Sequence, residues 1–490
     1  MRAPGDILLI SCYELGHQPL NLASPLACLE RAGYTPRGVD TAVETLDDAT
    51  LAHARFIGIS VPMHTALRLG TLVAARARAI NPDAHICFYG LYASLNADYL
   101  LRWHADSVIS GEYEQALLNL IEQLERAGGR CLRSAVAGVG TPARSAAPVL
   151  QRIPFVQPRR DTLPPLARYA QLEYNGQRVP AGYVEASRGC LHTCLHCPIT
   201  PIYRGRFFVV PRDVVLADIR AQVQQGARHI TFGDPDFLNG PGHSMKIARA
   251  MHQEFPDLTF DATIKIEHIL EHPSLFPELR ELGCLFIVSA VESLSDMVLQ
   301  RLAKGHTRAD VITALHILAA ADIPMRASLV AFTPWTTLDD YLDMLDFIAT
   351  HNLIDHIDPV QYTIRLLVPP GSALLDPTLW PPRSRKGKQN ATAFQAGNGQ
   401  SLDNRWLGPL DAENFTYHWD HPDPRMDELH RRVTALVEQA QREGQDALAI
   451  FTAIRTLAYS LAGREPSPLP VTEATIKRRT LPHLTESWFC

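Results

Sequence analysis

Ten residues from Gly189 to Pro198 restrict this chain more than any other stretch: Gly-Cys-Leu-His-Thr-Cys-Leu-His-Cys-Pro, with Cys190, Cys194 and Cys197 in Cys-x3-Cys-x2-Cys spacing. Thiolates are soft ligands, and three of them in one short loop can converge on a single iron-sulfur centre rather than pair with each other. Three protein ligands leave one iron of a cubane open, and an open iron is where a small molecule can coordinate and receive an electron. The loop therefore reads as a catalytic cluster rather than a wire. Nine cysteines placed at random among 490 positions would give this spacing with a chance of roughly 0.3%. The alternatives are three buried apolar thiols, or a zinc site completed by His192 or His196. Zinc motifs usually bring a second ligand pair some dozen residues on, and the next cysteine here is Cys284.

A chain of 490 residues is too long for one ordinary domain. Residues 1–128 alternate short apolar runs with helical patterns. Strands are expected at Ile7–Ser11, Arg37–Thr41, Phe56–Val61, His85–Tyr89 and Ser107–Ser110. That alternation predicts an α/β fold opening with a doubly wound, Rossmann-like parallel sheet, whose ligands bind beyond the carboxyl ends of the strands. The turns there are Cys12–Leu22, Pro62-Met63-His64, Gly90-Leu91-Tyr92 and Gly111-Glu112. Residues 129–180 have linker composition. Residues 181–375 supply six strand-helix units, the last strand spanning Val360–Leu366, which predicts a partial (β/α)6 barrel with its chemistry at the strand ends. Residues 376–490 predict a mainly helical extension, with helices over Asp427–Gly444 and Ala447–Leu461.

The cysteine loop after a first barrel strand resembles the signature of the radical S-adenosylmethionine (SAM) enzymes. The resemblance implies a four-iron, four-sulfur (4Fe-4S) cluster on Cys190, Cys194 and Cys197, with SAM chelating the fourth iron and yielding a 5′-deoxyadenosyl radical on reductive cleavage. It implies SAM contacts from Gly233, Asp234 and Pro235, where the family commonly has Gly-Gly-Glu-Pro, and from Lys265, Glu292 and Ser293 at later strand ends. Glu292 could instead pair with Lys265 or Lys304 as a structural ion pair. Arg326 and Arg365 could clamp a carboxylate or satisfy buried carbonyls. The first 128 residues resemble the cobalamin-binding domain of one large subclass, implying a corrin cofactor and methyl transfer. The cobalt-ligating Asp-x-His-x-x-Gly of some such domains is replaced by Glu14-Leu15-Gly16-His17-Gln18-Pro19, so the resemblance does not extend to coordination by His17. His17 and His64 read individually as loop or core histidines.

The closing Leu484-Thr485-Glu486-Ser487-Trp488-Phe489-Cys490 resembles the tail of a radical SAM family ending in Cys-Cys-Ala-Glu-Pro or its selenocysteine counterpart. On that resemblance Cys490 is the first residue of the motif, a catalytic thiol, and the frame was stopped at a selenocysteine codon; the plain alternative is an incidental thiol. Net charge is −6, so no basic field argues for nucleic acid. No apolar run approaches a membrane span, and the cytoplasm is the expected compartment. The expected partners are a small-molecule or peptide substrate and an external electron donor such as flavodoxin or ferredoxin. Two other functions fit the same residues. One is a cobalamin-free radical SAM enzyme transferring another fragment of SAM or abstracting hydrogen; the other is an iron-sulfur electron-transfer protein without bond chemistry.

Overall fold

Three of the first apolar runs have every residue buried: β1 (Ile7–Ser11), β3 (Phe56–Ser60) and β4 (His85–Tyr89). Such strands need cover on both faces, which a parallel sheet between helices provides. A computed structural model of the chain, which describes residues 1–128, 132, 134–151, 154–376, 406–469 and 481–486, shows that sheet. Its order is β2-β1-β3-β4-β5-β6, with β2 at Arg37–Asp40, β5 at Ser107–Ile109 and β6 at Val139–Gly140. The first five strands are parallel and β6 is antiparallel. Alternate residues serve two cores: Leu8, Ile10, Ile86 and Phe88 face one, Ile7, Leu9, Cys87 and Tyr89 the other. The chain leaves β1 for opposite sides, to β2 and then to β3, so the turns after β1 and β3 part and leave a crevice.

The expected connector is not structureless. Besides β6 it contains β7 (Gln171–Tyr174), which forms a hairpin with β8 (Gln177–Val184), the strand that leads to the cysteine loop. A short antiparallel pair follows, β9 (Ser187–Gly189) and β10 (Phe207–Val209), closing the cysteine loop at its base. The barrel then adds β11 (His229–Phe232), β12 (Thr259–Thr263), β13 (Cys284–Glu292) and β14 (Met325–Leu329), all parallel to β8. Helices including Arg212–Gln224, Pro241–Glu254, Arg308–Ala320 and Leu338–Thr350 cover the outer face, the last two opened by capping boxes, Thr307 with Asp310 and Thr337 with Asp340. Ile230, Phe232, Phe260, Ala262 and Ile287 point outward into this core.

The sixth strand expected over Val360–Leu366 is much reduced. Pro359–Thr363 forms a 3-10 turn, braced by the Thr363 hydroxyl donating to Val360 O at 2.7 Å. Only the bridge between Phe332 and Arg365 continues the sheet, with Phe332 N–H donating to Ile364 O and Leu366 N–H to Phe332 O.

The C-terminal region is helical, over Pro424–Arg442 and Ala447–Leu461, but begins with a hairpin of β15 (Leu407–Asp411) and β16 (Thr416–Trp419). Val433, Val437, Ile450 and Ile454 seat the two helices in the barrel core. A last strand, β17 (His483–Leu484), pairs antiparallel with β7 and extends the barrel sheet to the order β14-β13-β12-β11-β8-β7-β17. Among the described residues no helix is long and apolar enough to cross a membrane.

Two arginines hold the sheets face to face. Arg160, fully buried, pairs with both oxygens of Asp218 at 2.9 Å and donates to Gln18 O and Tyr183 O, joining connector, first sheet and barrel. Arg188 reaches from the cysteine-loop base to Glu114 at 2.6 Å and Glu112 at 3.2 Å, while its Nε donates to Glu185.

Candidate active site

The path into the cysteine loop is fixed from both sides. Gly189 has φ +77°, and a Cβ there would meet Arg206 O and the Tyr203 ring at 2.5 Å, so glycine alone lets the chain turn. The Asn239 side chain accepts from Leu191 N–H at 3.1 Å and donates to Gly189 O. Farther along, the Thr200 hydroxyl donates to Cys194 O at 2.8 Å, and Leu195 N–H to Leu302 O at 2.9 Å.

Cys190 and Cys194 are buried and Cys197 partly so. Their electrostatics differ. Burial, with Asp236 nearby, pushes the Cys190 thiol up to about 12. Burial also acts to raise Cys194, but the ammonium groups of Lys265 and Lys304 outweigh it and leave that thiol below its ordinary value. Lys265 Nζ lies 3.5 Å from Cys194 Sγ and donates to Lys304 O at 3.1 Å and to Glu267. A thiolate in this pocket therefore has a cationic neighbour in place, and three thiols carried on one short loop suit an iron-sulfur cluster.

Glu292 forms an ion pair with Lys304. It accepts from Lys304 Nζ and His196 Nε2, both at 3.2 Å; burial acts to raise its carboxyl, but these partners hold it down at about 2. Its φ of +63° is unusual for a residue with a side chain. Ser293 accepts from Ser295 N–H at 3.1 Å and braces the turn after β13. Lys265, Glu292 and the cysteines thus form one group around the loop.

Gly233, Asp234 and Pro235 belong to a second group, lining a cavity of about 500 Å³ between the two sheets. Asp234 accepts from Ala186 N–H at 2.9 Å and from the Ser187 hydroxyl, so its carboxylate fixes the approach to the cysteine loop; burial nevertheless lifts it to about 7. A Cβ at Gly233 would stand 2.0 Å from the Tyr183 ring, which itself stacks on His17 at 4.6 Å. The cavity reaches Gly189 and Pro198, the two ends of the cysteine loop.

Its opposite wall is the first sheet: Glu14, Leu15 and His17 after β1, Pro62 to Thr65 after β3, Gly90 to Tyr92 after β4, and Gly111 with Tyr113 after β5. His17 Nδ1 and Ser94 Oγ are buried without a hydrogen-bond partner, and both residues line the cavity. Orphaned polar atoms in an apolar wall fit a large ligand with a polar rim, as a corrin with amide arms has. His64 is committed elsewhere, its Nε2 lying 2.7 Å from Asn414 O. Arg326 pairs with Asp358, and Arg365 with Asp427 at 2.8 Å while stacking 3.6 Å over Trp419, so both guanidinium groups have structural partners.

Cys490 lies outside the described residues. Four positions before it, Glu486 lines the cavity and accepts from the Tyr13 hydroxyl, and His483 and Leu484 line it too. The sequence reading overlooked this wall, and also the fixing roles of Arg160 and Arg188. Glu185, three positions before Arg188, was the one local signal; Glu112 and Glu114 come near only through the fold.

Residues 184–348 match the model of the Radical SAM superfamily, so the chain carries a radical SAM domain. It is 23% identical over 364 residues to an uncharacterized methyltransferase of Pyrococcus horikoshii, covering 71% of this chain and 75% of that protein. A tRNA-2-methylthio-N(6)-dimethylallyladenosine synthase of Desulfosudis oleivorans is 30% identical over 202 residues, 38% of this chain; the chain spans only 42% of that relative's length. Among solved structures, the cobalamin-dependent S-adenosylmethionine radical enzyme OxsB superposes with a TM-score of 0.67 at 15% identity, covering 93% of this chain and 72% of that one. The radical S-adenosylmethionine methyltransferase TsrM of Kitasatospora setae gives 0.57 at 15%, covering 71% of each chain. At these identities the superpositions show the shared fold.

Proposed function

We propose that this protein is a cobalamin-dependent radical SAM methyltransferase. The observation that carries the reading is the single cavity faced at once by the strand-end turns of the first sheet and by the strand ends that lead into the cysteine loop. Bound there, the cluster supplies an electron for cleavage of SAM and the corrin carries a methyl group to the substrate. Cys190, Cys194 and Cys197 would hold the cluster. Lys265 and Lys304 hold the Cys194 thiol below its ordinary value, and Glu292 pairs with Lys304. Gly233 to Pro235 would border SAM, with Asp234 bracing the loop. Pro62, Met63, Gly90, Leu91, Tyr92 and Gly111 would surround the corrin.

The test is metal and cofactor content of anaerobically reconstituted protein. About four irons with about one cobalamin per chain, and S-adenosylhomocysteine together with 5′-deoxyadenosine among the products, are the expected results. Four irons without cobalamin, under conditions in which free cobalamin is in excess, would overturn the corrin assignment and leave a cobalamin-free radical enzyme.

A second element concerns Cys490. It stands four positions after Glu486, which lines the cavity. Cys490 would then act on the substrate rather than on SAM. Cys490→Ala is expected to retain SAM cleavage while altering the product; an unchanged product would remove the thiol from the reaction.

A further inference from the structure

Beside the cysteine loop, three possible ligand atoms from three separate segments converge. His192 comes from the loop itself, Asp236 from the turn after β11, and His268 from the helix Ile266–Glu271 that follows β12. His268 Nδ1 lies 2.7 Å and His192 Nε2 3.5 Å from Asp236 Oδ2, and all three atoms fall within 4.8 Å of one another. Each ring can pair with the carboxylate when it is protonated, but neither contact has hydrogen-bond geometry and the three buried atoms have no other hydrogen-bond partner. Asp236 is fully buried. Its other oxygen is occupied, accepting from Leu238 N–H at 3.1 Å, so Oδ2 is the oxygen left to face the two rings.

Orphaned donors of this kind cost stability unless something satisfies them together. Two imidazoles and one carboxylate suit a borderline divalent ion, and tetrahedral bonds of 2.0–2.2 Å separate donors by about 3.4 Å. The observed 2.7 and 3.5 Å bracket that spacing. The outer shell is present as well: Glu267 Oε2 lies 3.2 Å from His192 Nδ1, the carboxylate that fixes a metal-bound histidine's tautomer, and Lys265 holds Glu267.

We infer that His192, Asp236 and His268 bind a zinc ion, distinct from the iron held by the cysteines. Because His192 lies between Cys190 and Cys194, the ion ties the cysteine loop to β11 and β12 and holds its thiols in place whether or not iron is bound. This inference rests on these donors alone and not on the methyl-transfer reading.

The test adds one equivalent of zinc chloride to the reconstituted full-length protein, removes excess by desalting, and measures zinc, iron and the zinc K-edge spectrum. About one zinc per chain beside about four irons is expected, with nitrogen and oxygen neighbours at about 2.0–2.1 Å and no sulfur. Asp236→Asn and His268→Gln should each lower zinc retention at least tenfold while iron changes less than twofold. Full iron with no retained zinc overturns the site and leaves the three side chains as an ion-paired cluster. A sulfur shell near 2.3 Å, or zinc undiminished in both variants, also overturns it. If the variants fail to fold, the spectrum of the unaltered protein decides by itself.

Discussion

The two walls of the cavity have opposite electrostatics. On the barrel side charge is abundant and partnered: Arg188 meets Glu185 and reaches across to Glu112 and Glu114 of the first domain, Arg326 meets Asp358, Arg365 meets Asp427, and around the adjoining loop Lys304 meets Glu292. On the first-sheet side two lining groups, Glu14 and His17, are pushed toward their neutral forms. Burial lowers His17 to about 4 and lifts Glu14 to about 8, and the remaining lining includes Pro62, Met63, Leu91, Tyr92 and glycines. The charged wall suits a site that must take up an electron and hold a sulfonium with its carboxylate. The neutral wall suits a large, mostly apolar ligand recognised by shape. A difference this clear should appear in the size and kind of response to mutation.

The largest effect belongs to the cysteine loop. Cys194→Ala removes the sulfur that Lys265 and Lys304 flank, and iron should fall from about four per chain to below one, with SAM cleavage lost. Iron analysis and product assay read both. Lys304→Met comes next. It leaves Glu292 buried with only His196 beside it, and breaking a buried pair in this way costs about 3–5 kcal/mol. Urea denaturation of the iron-free protein would measure it separately from cluster binding. A cost under about 1 kcal/mol would show that the barrel wall is as tolerant as an exposed surface.

Gly233→Ala tests the junction of the two walls. The new methyl would overlap the Tyr183 ring, which carries His17 on its other side. Overpacking costs about 1–3 kcal/mol, and because the displaced rings border the cavity, cofactor binding should weaken along with stability. Thermal denaturation with and without added SAM and cobalamin distinguishes the two contributions.

Much of this architecture was legible in the sequence because it rests on local pattern. Fully apolar runs such as Ile7–Ser11 can only be interior parallel strands once helices alternate with them, and the cysteine spacing carries its own chemistry. What was not legible depends on contacts across the chain. Val360–Leu366 has strand composition, but Pro359 and the Thr363 hydroxyl turn it into a 3-10 segment before the sheet is reached. His483–Leu484 is too short to have a period, and becomes a strand only because β7 offers an open edge. Asp234 accepts from residues 186 and 187, contacts that its place in the sequence does not show. His192, Asp236 and His268 lie 76 positions apart end to end, and only the β11 and β12 crossovers make them neighbours.

The smallest effect is a pH dependence that belongs to the neutral wall. Glu14 accepts from Leu20 N–H at 2.9 Å and from Asn21, but burial dominates, Glu185 adds to it, Arg160 opposes it, and the carboxyl ends at about 8. An unfolded glutamate titrates at about 4.3, so between these values the folded protein holds a proton that the unfolded chain has released. Stability therefore falls as pH rises through that window, by at most about 1.4 kcal/mol per pH unit. His17 has the opposite sign, since its lowered value makes the unfolded state the proton binder, but its contribution is complete above an ordinary histidine value of about 6.5. Asp234 shares the falling slope, but with a value of about 7 it fades through neutrality. Between about pH 7 and 8 Glu14 is thus the main source of slope among these three. Glu14→Gln keeps an oxygen for the same backbone donors and carries no proton to lose. Urea denaturation at a series of pH values should show the natural protein losing stability across that interval and the Gln variant nearly level. Equal slopes would mean that Glu14 is ionised in the folded state, and that the wall it belongs to is not neutral.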